Sequence, residues 1–228
     1  MLYTEENVRD NLRNRDGKRV FFLGREDKLT SAARDFLTRE RIPILPAEQA
    51  KIETYRLLNG AYLSEKPEQM THLNGDILVL KTHPRISFRG AMDTLEAELL
   101  LCQLVVDKKT AAAVEEILNY ARLMIRCDVL NEPLPSQKLC GLTPEQLRSH
   151  SHRPQEYYGQ PHFMPQVTDG EEILRLNRCR CAARQAELQA VRAFLDEDGN
   201  PTRPDLLQGL NRLSSMLYIL MIQCKKDR

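Results

Sequence analysis

Two arginines and a glutamate stand at helical spacing in RCAARQAE, residues 180–187. Arg180, Arg184 and Glu187 are separated by four and then three positions, so on an α-helix they leave from one face. The helix that would carry them runs from Ile173 to Leu195, with Ile173, Leu176, Ala183, Val191 and Phe194 as its apolar stripe. The charged residues fall on that same stripe. Charge placed where core contacts belong is costly unless it is paired and hydrogen-bonded. A guanidinium donates in a planar fork that matches phosphate. The chemistry this pattern offers is recognition of a polyanion.

The pattern recurs on two further helices. In the helix from Phe88, Asp93 and Glu96 share a face with Leu100 and Leu104. In the last helix Asn211, Ser214, Ser215 and Tyr218 form a stripe with Leu207 and Ile222. Beyond residue 216 that helix is apolar all round, which predicts burial on most sides. A buried ion-pair network that sets register would account for Asp93 and one arginine. Two arginines, an asparagine and two serines are more donors than one or two carboxylates need, which leaves a polyanionic ligand as the remaining partner. The chain holds no GxxxxGK[ST], no GxGxxG after a strand and no ExxH of a di-iron bundle. His150 and His152 form a lone HxH, read as a loop pair.

The elements that must position these residues are mainly helical. FRGAMDTLEAELLLCQLVV (88–106) reads as one helix, and TAAAVEEILNYARLMIRCDVL (110–130) as a second capped by Thr110. TPEQLRSH (143–150) reads as a short third, started by Thr143-Pro144. Residues 153–169, with three prolines, read as an ordered loop before the arginine helix. The last helix begins near Pro204. The fold class is therefore mainly α, an antiparallel bundle of about five helices with a small N-terminal α/β module. In that module RVFFLG (19–24) and IPIL (42–45) are strand candidates around a helix SAARDFLTRERI capped by Thr30 or Ser31. The turn-rich stretch 59–75 marks the boundary, dividing an accessory module at 1–68 from a helical domain at 69–228.

Composition excludes several classes. Net charge is +1 with no tryptophan, which argues against a nucleic-acid surface or a base-stacking platform. The charged N-terminus lacks the apolar core of a signal peptide, and the longest apolar run, near MLYILMI, is too short to span a membrane. Six scattered cysteines, Cys179 and Cys181 pointing apart among them, read as reduced structural thiols of a cytoplasmic protein.

From Thr71 onward the order of several blocks resembles one family. THLNGDILVLKTHPR (71–85), PRISFRGAMDTLEA (84–97), IRCDVLNEPL (125–134), LRSHSHRP (147–154), RCAARQAE and LNRLSSMLY (210–218) are similar to blocks of the corrinoid adenosyltransferases of ethanolamine utilisation, relatives of the propanediol-type ATP:cob(I)alamin adenosyltransferases. The resemblance implies a helical bundle that assembles as a homo-oligomer, a trimer favoured, with sites between subunits. It implies transfer of the 5′-deoxyadenosyl group from ATP to the cobalt of a reduced corrinoid, releasing triphosphate, with Mg²⁺ on the phosphates.

The resemblance also implies roles. Arg184, with Asn211 beside it, would hold the leaving triphosphate, and Glu187 would orient Arg184. Thr71, Asn74, Gly75 and Lys81 would hold phosphates. Asp93 would pair with Arg180 across the subunit seam. His162 and Phe163, in HFMP (162–165), would meet the corrinoid, Phe163 excluding its lower axial ligand. The Cys-rich metal motif of some ethanolamine-branch members is missing, since residues 46–70 hold no cysteine or histidine, so no bound iron or zinc is expected. A corrinoid reductase and a bacterial microcompartment are the expected associates, with no nucleic acid and no membrane. The competing readings are a corrinoid or nucleotide carrier without chemistry, and a scaffold docked through residues 1–68.

Overall fold

The computed structural model describes residues 1–15, 18–47 and 55–226. The chain divides into two compact units, Met1–Met70 with Asp76–Leu78, and Thr71–Gly75 with Val79–Arg228. Among the described residues there are eight helices, and the chain is mainly helical with a small strand module.

The first unit is mixed α/β. Strand β1 (Leu2–Tyr3) pairs in parallel with β4 (Lys28–Leu29), β2 (Arg13–Arg15) antiparallel with β3 (Lys18–Leu23), and β3 in parallel with β5 (Ile44–Pro46). Helices α1 (Glu5–Asp10) and α2 (Ser31–Arg39) cover a core of Val8, Phe21, Ala33, Phe36, Leu37 and Ile42. Thr30 caps α2, its Oγ1 accepting from the Ala33 amide at 3.3 Å, as its sequence position predicts. The second strand begins at Ile44 rather than Ile42: the chain turns through Arg41 at φ 51° and spends Ile42 on the core. Residues 48–54 of the expected accessory module lie outside the described residues. The turn-rich stretch 59–75 is more structured than a linker. Strand β6 (Tyr55–Leu57) pairs antiparallel with β7 (Tyr62–Leu63) and parallel with β9 (Ile77–Leu80), and β8 spans Met70–Asn74.

The second unit holds α3 (Pro84–Gln103), α4 (Lys108–Leu130), α5 (Pro144–His152), α6 (Pro154–Tyr158), α7 (Gly170–Phe194) and α8 (Pro204–Lys226). Helix α3 packs on α4 and α7, and α8 packs on α7 and α5. One apolar core runs through all four long helices. Gly209 of α8 allows a close approach: a Cβ there would meet the Met124 side chain at 2.8 Å and that of Leu134 at 2.9 Å. Residues 216–224 of α8 are almost wholly buried, as the all-round apolar pattern predicts.

Three local expectations are corrected. Asp107, not Thr110, caps α4: its Oδ1 accepts from the Lys109 amide at 2.7 Å, and the Thr110 hydroxyl donates to Oδ2 at 2.6 Å. The stretch 153–169 contains α6 and a 3₁₀ turn at Val167–Asp169. His150 and His152 lie in the last turn of α5, not in a loop.

Candidate functional site

The core stripe of α7 is Ile173, Leu176, Cys179, Ala183, Ala186, Ala190 and Phe194. Arg184 and Val191 are exposed, and Arg180 and Glu187 are half-buried. The charged set thus flanks the stripe instead of sharing it. Small side chains occupy the tightest contacts, where the Cys179 thiol reaches the Glu98 carbonyl at 3.2 Å. Long charged side chains fit only at the rim.

That rim opens into a cleft of about 740 Å³ between α7, α8, the end of α5 and the loop before α7. Arg180, Arg184 and Asn177 line it from α7, and Asn211, Ser214, Ser215 and Tyr218 from α8. No carboxylate is among its lining residues. Neither guanidinium forms an ion pair or hydrogen bond among the described residues. Arg180 instead lies over the Tyr218 ring, 5.2 Å from its centroid.

Tyr218 organises the opposite wall. Its hydroxyl accepts from the Phe163 amide at 3.2 Å and lies 3.0 Å from His162 Nδ1. His162 Nε2 faces the His152 carbonyl at 3.1 Å, so Nε2 carries the hydrogen and donates. The His162 ring stacks on Tyr218 at 5.7 Å, and the Phe163 ring follows at 6.2 Å. Lys225 fixes the far side of Phe163, its Nζ 4.4 Å from the ring centroid and 2.6 Å from Asp169. The result is an aromatic wall beside two guanidiniums that have no carboxylate partner among the described residues.

Glu187 does not orient Arg184. It accepts from the Asn211 amide at 3.0 Å, and Asn211 Oδ1 accepts from Arg212 at 2.7 Å. Glu187 therefore fixes Asn211, with its carbonyl oxygen already committed to Arg212.

The other expected phosphate ligands are not in this cleft. Thr71 and Asn74 lie on β8, Gly75 turns at φ 50°, and Lys81 is exposed after β9. Asn74 Oδ1 is buried without a hydrogen-bond partner. Asp93 is exposed on α3 and forms no ion pair among the described residues; its expected partner Arg180 is on the cleft. Glu96, on the same side of α3, accepts from Arg122 Nε at 3.0 Å.

One charged cluster is absent from the expectations above. Asp128 of α4 is fully buried and takes both Arg85 and Arg89 of α3: Arg85 Nε donates to Oδ1 at 2.9 Å and Arg89 Nε to Oδ2 at 2.7 Å. Arg85 also donates to the Asp128 carbonyl at 2.7 Å. The partners are about forty residues apart in sequence, so no local spacing reveals them. Beside them His83 caps α3, its Nδ1 accepting from the Arg85 amide at 3.2 Å. Burial, and then the Arg85 and Arg89 charges, hold the His83 ring below its ordinary pKa. Tyr218, which the sequence places on the polar stripe of the last helix without a role of its own, holds the centre of the aromatic wall.

The sequence model of the cobalamin adenosyltransferase family matches residues 61–224. The chain belongs to this family. It is similar to the corrinoid adenosyltransferase EutT of Salmonella typhimurium strain LT2, at 34% identity over 158 residues, covering 69% of this chain and 59% of the relative. With EutT of Escherichia coli strain K12 the identity is 34% over 160 residues, covering 70% and 60%. The chain thus matches about three-fifths of the length of these curated relatives. Its fold is like that of a variant PduO-type ATP:corrinoid adenosyltransferase from Lactobacillus reuteri complexed with cobalamin and ATP, at a TM-score of 0.51 and 14% identity, covering 77% of this chain and 90% of that one. Another variant of the same type, complexed with ATP, gives 0.50 at 18% identity, covering 69% and 89%.

No described helix is long and apolar enough to cross a membrane. Among the described residues no group of three or more His, Cys, Asp or Glu is placed to hold a metal ion.

Proposed function

We propose that this protein transfers the 5′-deoxyadenosyl group of ATP to the cobalt of a reduced corrinoid. The cobalt(I) lone pair forms the bond to the ribose 5′-carbon, the C5′–O bond breaks, and the oxygen leaves with its electron pair as triphosphate. The nucleophile belongs to the corrinoid, so the protein's work is to bind, orient and stabilise charge. One observation carries the reading: Arg180 and Arg184 stand without carboxylates in a cleft whose other wall is aromatic. Donors already in place for a leaving polyanion need no reorganisation as charge develops.

In this reading Arg184, Arg180 and Asn211 hold the triphosphate, and Glu187 holds Asn211. His162 and Phe163 meet the corrin ring, with Phe163 excluding the lower axial ligand. Tyr218 keeps both in place. Mg²⁺ on the ATP phosphates would supply charge neutralisation. No carboxylate lines the cleft, so the side-chain oxygens this chain would offer the ion there are neutral ones, those of Asn177, Ser214 and Ser215 among them.

Thr71, Asn74, Gly75, Lys81 and Asp93 complete the site from a neighbouring copy in a homo-oligomer, a trimer favoured. Two apolar faces support that assembly. Leu100 and Leu101 are exposed on α3, as is Leu104 just past its end, and Leu188, Val191 and Leu195 continue the exposed face of Arg184. The domain reading is an accessory module at 1–68 and an adenosyltransferase domain at 69–228, the latter an antiparallel bundle of about five helices. The chain works in the cytoplasm, with a corrinoid reductase as supplier and a bacterial microcompartment as the associated structure.

The test is anaerobic incubation of cob(I)alamin with ATP and Mg²⁺. The expected result is the spectral change of Co–C bond formation with release of inorganic triphosphate. Binding of both substrates with no triphosphate would favour a carrier instead.

A further inference from the structure

Next to the cleft lies another cavity, of about 440 Å³, that none of the roles above uses. Its charged lining is Glu145, Arg148, Arg153 and Arg212, with His152 shared between the two cavities. Arg153 is committed, to Glu156 at 3.0 Å and to the Ser149 and Tyr157 hydroxyls. Arg148 and Arg212 are not. Arg148 forms no side-chain hydrogen bond or ion pair among the described residues. Arg212 donates to Asn211 through Nη1, while its Nε is buried with no partner. A guanidinium nitrogen withdrawn from water and left unmatched is unfavourable, and a further guanidinium facing the same cavity adds repulsion. Glu145 offers one carboxylate, yet among the described residues it is not within ion-pair distance of either arginine. Burial, and then the Arg148 charge, lower the Arg212 pKa, and the Glu145 and Glu187 charges oppose that only in part.

We infer that Arg148 and Arg212 form an additional anion subsite, next to the cleft with His152 lining both, that takes a phosphate group of the ligand seated there. The inference rests on the adenosyltransferase reading. Two parts of the substrates carry such a group: the phosphodiester in the nucleotide loop of a complete corrinoid, and the triphosphate of ATP. Arginine suits either, since its fork donates two parallel bonds to phosphate oxygens.

Calorimetric titration of the full chain with three probes tests this. The probes are hydroxocobalamin, which carries the phosphodiester, dicyanocobinamide, which lacks the nucleotide loop, and inorganic triphosphate. The proteins are wild type, Arg148→Ala, Arg148→Lys and Arg212→Lys. Loss of a charge-assisted hydrogen bond predicts binding weakened about tenfold in Arg148→Ala, partly recovered in Arg148→Lys. A loss confined to hydroxocobalamin assigns the group to the corrinoid loop; one confined to triphosphate assigns it to the nucleotide. Equal losses on both corrinoids, or unchanged binding of all three probes in every variant, overturn the subsite while leaving the adenosyltransferase reading standing. Wild-type protein that binds none of the probes overturns both.

Discussion

Two arginine pairs in this molecule share one spacing and have opposite fates. Arg85 and Arg89 on α3 are four residues apart, as are Arg180 and Arg184 on α7. The α3 pair closes on the fully buried Asp128 and shares its single negative charge. The α7 pair faces a cleft with no carboxylate on its lining. One is a structural clamp between α3 and α4; the other is charge kept available. Spacing alone therefore says that two guanidiniums act together, and the partner within reach decides whether they hold the fold or hold a ligand.

Three experiments sharpen or break that contrast. The largest effect belongs to the clamp. Asp128→Ala leaves two guanidiniums without their counter-charge, and removing one partner of a buried pair costs about 3–5 kcal/mol. Chemical denaturation should show that loss; a change within the range of a surface substitution would mean that water already serves the clamp. Next is the cleft. Arg184→Ala should lower the adenosylation rate by about two orders of magnitude or more, the scale of losing one preorganised donor to a developing anion. Its thermal midpoint should stay near wild type, because Arg184 is exposed and unpaired. A normal rate, or a large stability loss, would reverse the roles assigned to the two pairs.

The smallest effect is the pH dependence of His83, which caps α3 beside the clamp. Its pKa in the folded protein lies below the ordinary 6.5, so in the window beneath 6.5 the unfolded chain binds the proton more readily. Stability should therefore fall as pH drops from 6.5 through the folded pKa, and level off below it. His83→Asn keeps a capping acceptor and should remove that part of the slope in denaturation curves taken across the window. An unchanged slope would assign the acid sensitivity to other groups.

Much of the helical unit was legible because helices report themselves locally. The apolar period of α4 and α8, the Thr143-Pro144 start of α5 and the all-round apolar end of α8 are properties of neighbouring residues. Arg180, Arg184 and Asn211 were legible as a group of donors in excess of nearby acids, and the cleft does gather them. Misreadings arose where the deciding contact is distant or a cap competes. Asp107 displaces Thr110 because a carboxylate can take two amides and a hydroxyl at once. Glu187 reaches across to Asn211, 24 residues on, in preference to an arginine one turn away.

By itself the sequence determined the four long helices and α5, which donors those helices carry and which family the ordered blocks resemble, since each of these rests on neighbours a few residues apart. Only the tertiary structure decided that Asp128 takes both Arg85 and Arg89, that Tyr218 ties His162 and Phe163 into one wall, and that Arg180 and Arg184 meet no carboxylate among the described residues. The physical reason is that a charge is satisfied by whatever lies within a few ångströms in space, and packing of the helices sets that neighbourhood.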